Sequence, residues 1–215
     1  MKLKFEYSKE KDIWCLLNKG KNSNNSPLPT KVYSEFVSTF GENLDEKSAS
    51  QFIDQYLKAH NFNVAERLES YQNDFVLVSK EFEKIAERIF GVSLENEVTV
   101  YLTINNRCPY SVEENWFFVS ISQDSPIKII MHELWHFYTW HGLGITEEEK
   151  IGVEKYNDLK EALTVLLNVE CKQLLPEGVE DRGYPQHAEL REKILEFWKE
   201  KPNIDYVWGC LNNKL

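Results

Sequence analysis

His132, Glu133 and His136 are the residues whose types and spacing could do chemistry. On an α-helix, at about 100° per residue, His132 and His136 fall one turn apart on one face, so two imidazole nitrogens can meet one ion. Glu133 falls about 100° round from His132, beside such an ion rather than on it. A carboxylate there can take a proton from water. H-E-x-x-H on a helix is the signature of zinc-dependent hydrolysis.

The element that must position them is Ser125 to His141, SPIKIIMHELWHFYTWH. Ser125 suits the N-cap, Pro126 the first helical position, and Gly142 and Gly144 the stop. From Ile129 to Trp140, Thr139 and the three motif residues are the strongly polar groups; the rest is Ile, Met, Leu, Trp, Phe and Tyr. A helix apolar nearly all round belongs in a core. An ionised Glu133 buried there without a partner is costly. A metal ion and its water would offset that cost. The plain alternative is two core histidines and a fortuitous glutamate.

A catalytic zinc site takes three protein ligands and leaves one position open. Beyond the motif the candidates are His141, Glu147, Glu148, Glu149, Glu154, Asp158, Glu161 and Glu170. His141 lies about 140° from His136 on the helix and faces the wrong way. Glu147 to Glu149 are explained by capping and the helix dipole. Glu161 opens EALTVLLNVE, in which residues 162–169 carry no charge. It shares a face with Thr164, Val165 and Asn168, a mildly polar stripe on an apolar helix that suits a site wall. The competing reading is a solvated glutamate beside Lys160; Glu170 is the second-choice ligand.

Around these segments the chain alternates elements. Lys2 to Tyr7 alternates as a strand, and Ile13 to Leu17 completes an expected β-hairpin. Asn18 to Pro29 is a polar loop. Helices are expected from Thr30 to Gly41, from about Asp45 to His60, over Val64 to Tyr71, and from Asp74 to Phe90. Glu97 to Ile104 and Trp116 to Ser122 are strands, separated by a loop. Thr146 to Glu149 is a capping box that starts another helix. Asp158 to Leu175 and Pro185 to about Glu200 follow as helices.

An acidic chain with net charge −10 disfavours nucleic acid and anionic membranes as partners. Four scattered cysteines with no C-x-x-C argue against a zinc ribbon. With no apolar leader and no window of about 18 apolar residues, a cytoplasmic, thiol-reduced setting is expected.

The HELWH helix with a glutamate on the next major helix resembles the zincin metallopeptidases, and most the gluzincin branch with its thermolysin-type ligand set. The likeness covers Glu97 to Leu175. It implies Zn2+ held by His132, His136 and Glu161, with Glu133 as general base and proton shuttle. It implies an oxyanion donor, for which Tyr184 and His187 in RGYPQH are the candidates. It also implies a small twisted, mainly antiparallel sheet packed on the active-site helix, with Trp116 to Ser120 as the edge that pairs with extended peptide. Two positions depart from the pattern. Lys160 stands where an Asn often precedes the ligand, and Val165 where an Asp would orient a ligand histidine; Asp158 or Asn168 would have to replace it. The metzincin pattern fails at Thr139 and Gly142.

The expectation is a helix-rich α+β, zincin-like single domain over residues 1–215. Its N-terminal hairpin and helical subregion would cover residues 1–91 and its metal-site region residues 92–200. The expected activity is zinc-dependent peptide hydrolysis, with a peptide or protein substrate. A non-catalytic or regulatory zinc-binding protein of the same fold, and an α-rich interaction module with a chance motif, are the alternatives.

Overall fold

The computed structural model describes residues 1–18, 30–41 and 43–214. The chain gathers into two compact units that interleave in sequence. One comprises Lys2–Asp74 and Asn96–Pro126; the other comprises Met1, Phe75–Glu95 and Ile127–Leu215. It is a helix-rich α+β structure with one small mixed sheet.

The first unit opens with β1 (Lys2–Glu6) and α1 (Lys9–Asn18). Residues 13–17 are therefore helical, and the expected hairpin does not form. A run of five apolar residues has no period of its own. Helical spacing instead buries Asp12, Cys15 and Leu16 and leaves Trp14 on the surface. Next come α2 (Lys31–Phe40) and α3 (Glu46–Ala59). Thr30 Oγ1 caps α2 by accepting from Tyr33 N at 3.1 Å, and Asp45 with Ser48 forms a capping box on α3. The loop expected after Asn18 lies outside the described residues.

α4 (Val64–Phe90) is one continuous helix where two were expected. The polar run between Tyr71 and Phe75 contains neither Gly nor Pro, so nothing breaks the helix.

β2 (Glu97–Thr103), β3 (Tyr110–Ser111) and β4 (Trp116–Ser120) complete the sheet in the order β1-β2-β4-β3. β1 and β2 are parallel, as are β2 and β4, and β3 alone is antiparallel. The mainly antiparallel expectation is thus overturned. Nor is Trp116 to Ser120 an open edge. β2 flanks β4 on one side; on the other, Tyr110 pairs with Phe117 and Phe118 N donates to Pro109 O at 3.0 Å. The edges of the sheet are β1 and β3. The loop expected between the two long strands hides this short return strand.

Asp12 lies fully buried against the end of β2 and accepts from Thr103 Oγ1 at 2.6 Å and Ile104 N at 3.1 Å. Burial pushes its carboxyl up to about 6, and the two hydrogen bonds only partly counter that. Between pH 4 and 6 the folded state then holds a proton that the unfolded state releases. Stability from this group therefore falls as pH rises through that window, by roughly 3 kcal/mol in all. Asn keeps the acceptor without the charge. Asp12→Asn should therefore gain on the wild type as pH rises from 4 to 7, as urea unfolding at a series of pH values would measure.

The second unit is helical. α5 (Pro126–Thr139) starts where Pro126 directs. It does not stop at the glycines but runs through a π turn, Trp140–Gly144, into α6 (Ile145–Ile151). Thr146 sits inside α6, so the expected capping box is not made; the N-cap is Gly144, without a side-chain bond. Gly144 is required here, because a Cβ would lie 2.5 Å from the Trp140 ring and 2.7 Å from Tyr156 Oη. Gly152, at φ +84°, ends α6 and admits α7 (Val153–Leu163). A 3-10 turn, Thr164–Leu166, leads to α8 (Leu167–Glu170), so the helix expected from Asp158 to Leu175 is broken. α9 (Ala188–Glu200) follows a 3-10 turn at Pro185–His187. The tail forms α10 (Ile204–Lys214), which Trp208 ties to α6 by donating to Glu147 Oε2 at 2.8 Å.

No helix among the described residues is long and apolar enough to cross a membrane.

Candidate metal centre

Packing sets the rotation of α5. Leu134, Trp135, Phe137 and Tyr138 are all fully buried. Trp135 and Tyr138 lie against the Phe82 and Phe90 rings, with centroids 5.1 to 6.2 Å apart. That turns His132 and His136 toward α7. Their Nε2 atoms are 3.1 Å apart. Glu161 closes the group, with Oε1 3.4 Å from His136 Nε2 and Oε2 3.6 Å from His132 Nε2. A tetrahedral ion with bonds of about 2.0–2.1 Å needs donors about 3.3 Å apart, which these separations match. Among the described residues this is the one group of three or more His, Cys, Asp or Glu side chains close enough to hold a metal.

Asp181 orients the first imidazole. Its Oδ2 accepts from His132 Nδ1 at 2.7 Å, which sets the ring with Nε2 toward Glu161 and His136. Asp181 is itself clamped. Thr164 Oγ1 lies 2.9 Å from Oδ1, and Arg191 donates to Oδ1 at 3.1 Å and to the Asp181 carbonyl at 2.5 Å. Asn168 brackets the Asp181 backbone, donating to its O at 2.7 Å and accepting from its N at 2.8 Å. The polar stripe of Thr164 and Asn168 beyond Glu161 is thus the dock for a loop carboxylate. The orienting acid is neither Asp158 nor Asn168. A signal existed in that stripe, but nothing in the sequence connected it to Asp181.

Glu133 is 7% exposed, and its Oε2 has no hydrogen-bond partner. Burial, reinforced by Glu161 and Asp181, pushes its carboxyl up to about 8 against the pull of His132 and Lys160. Burial holds the His136 imidazole down at about 4, in the neutral form that offers a lone pair. For His132, burial works the same way, but the Asp181 and Glu161 carboxylates outweigh it and raise the ring. Burial opposes ionisation of Glu161 as well; the two imidazoles outweigh it and hold the carboxyl well below its usual range.

The other candidates have partners or settings of their own. His187 is buried, with Nε2 3.0 Å from Asp158 Oδ1, and Tyr184 is 41% exposed with its ring 5.9 Å from that of His187. His141 is exposed in the π turn. Glu147 bonds Lys150 and Trp208, and Glu170 bonds Arg88 and Trp198. Lys160 is buried at 8% exposure.

The chain matches no model of a known protein family, no curated protein and no solved structure, so its chemistry rests on these residues alone.

Proposed function

We propose that the protein is a zinc-dependent peptidase whose metal is held by His132, His136 and Glu161. The observation that carries this is a buried carboxylate with an unpartnered oxygen, Glu133, beside three converging donors. A purely structural site has no use for such a group. The ligand set and the general base resemble those of gluzincins, although here the orienting acid comes from the loop at Asp181.

A bound zinc would sharpen the acidity of water and polarise a carbonyl. Glu133 takes the proton from the attacking water and returns it to the leaving amine. Asp181 keeps the His132 ring in position and increases its basicity. The test is cleavage of a diverse peptide library: activity restored by zinc after chelation supports the reading. Stoichiometric zinc without any cleavage favours the regulatory alternative.

Asp181→Asn keeps an acceptor but removes the charge behind His132. It should weaken zinc binding by about 10–100-fold, read by competition with a chromophoric chelator.

A further inference from the structure

Lys160 has no part in the scheme above, yet it adjoins the donors. It precedes Glu161 on α7 and is buried. Asn157 Oδ1 accepts from its Nζ at 3.1 Å. Nζ also lies 3.7 Å from Glu161 Oε1, the oxygen that faces His136 Nε2. Glu133 is within its electrostatic reach. Burying an ammonium is costly, and a Leu or Met at this position would pack more cheaply. A divalent ion on Glu161 makes matters worse, because it repels the neighbouring ammonium.

A divalent ion draws to itself the Glu161 carboxylate that partners Lys160, and an anion beside the ion would supply the ammonium with negative charge again. In peptide hydrolysis, water oxygen bonds to the carbonyl carbon, its proton passes to Glu133, and the carbonyl π pair moves onto oxygen. The C–N bond then breaks and the Glu133 proton goes to the amine.

We propose that the Lys160 ammonium takes the negative charge that develops on the substrate carbonyl oxygen, and that the loaded centre therefore binds tetrahedral oxyanions. This rests on the metal-dependent reading. Lys160 hydrogen-bonds the oxyanion and transfers no proton. It would take the role expected of Tyr184 or His187; His187 Nε2 lies 3.0 Å from Asp158 Oδ1.

The test loads the whole protein with cobalt(II) and titrates inorganic phosphate, followed by the visible absorption of the metal. Wild type, Lys160→Met and Lys160→Gln are compared. All three should hold one cobalt per chain, and both variants should lose phosphate affinity by about tenfold or more. Variants that bind phosphate like wild type overturn the proposal and leave the metal reading intact. A cobalt-loaded wild type whose spectrum ignores phosphate overturns it too, even if neither variant folds. A wild type that takes up no cobalt removes the metal reading and this inference together.

Discussion

Glu133→Gln protein should bind zinc with wild-type stoichiometry and lose peptide hydrolysis by about 10²–10⁴-fold. Gln has the same shape and cannot accept the proton. Stability should not fall with activity. The Glu133 Oε2 has no hydrogen-bond partner to lose, and burial already disfavours its charge. The raised carboxyl means that folding is opposed by this group as pH rises from its unfolded value near 4.5 through about 8. Removing the charge should hold Tm level or raise it at pH 8. Paired kinetics and melting curves measure both effects. A variant as active as wild type contradicts the base role. One that loses activity only because it unfolds contradicts the description of Glu133 as a group held for chemistry.

Arg191→Met should cost about 3–5 kcal/mol of folding stability. The guanidinium is 7% exposed and bonds Thr164 Oγ1 at 2.9 Å as well as both ends of Asp181. Met fills similar space but leaves Asp181 as a buried charge facing His132 with its cationic partner gone. Gly183 shows how closely the clamp is built. At φ +61°, its Cβ would stand 2.5 Å from Arg191 Nη1, so the loop passes the guanidinium at a point only glycine fits. Urea unfolding measures the loss, and a cost below about 1 kcal/mol would mean the clamp is not what holds the loop.

The pair of histidines that the structure sets together was legible because its signal is local. Two histidines one turn apart need only a helix, and Ser125, Pro126 and the apolar run supply it. Glu161 was legible because a charge at the head of an apolar helix needs a reason. Asp181 was not, because it sits in an irregular loop between α8 and α9 and acquires its role only when Thr164, Asn168 and Arg191 fold around it. The burial of Lys160 was not legible either. A lysine next to a glutamate is ordinarily solvated, and only the packing of α7 buries it.

The fold was harder to read than the site. Ile13 to Leu17 is equally compatible with strand and helix; as part of α1 it buries Cys15 and Leu16 on the same side as Asp12. The parallel partnership of β1 with β2 joins residues more than 90 positions apart, such as Leu3 and Val98, and no local pattern encodes it. β3 is two residues long, too short for periodicity to reveal, yet it closes the β4 edge. The glycines after the motif helix signalled a stop, but close packing around Gly144 accommodates a π turn that carries the chain on.

The most direct test of the account is elemental analysis of the protein purified without a histidine tag, for wild type and His136→Ala. His136 is 1% exposed and faces both other donors, so its loss opens the cage. The account predicts one zinc per wild-type chain and almost none in the folded variant. No metal in the wild type, or equal metal in both, would contradict it.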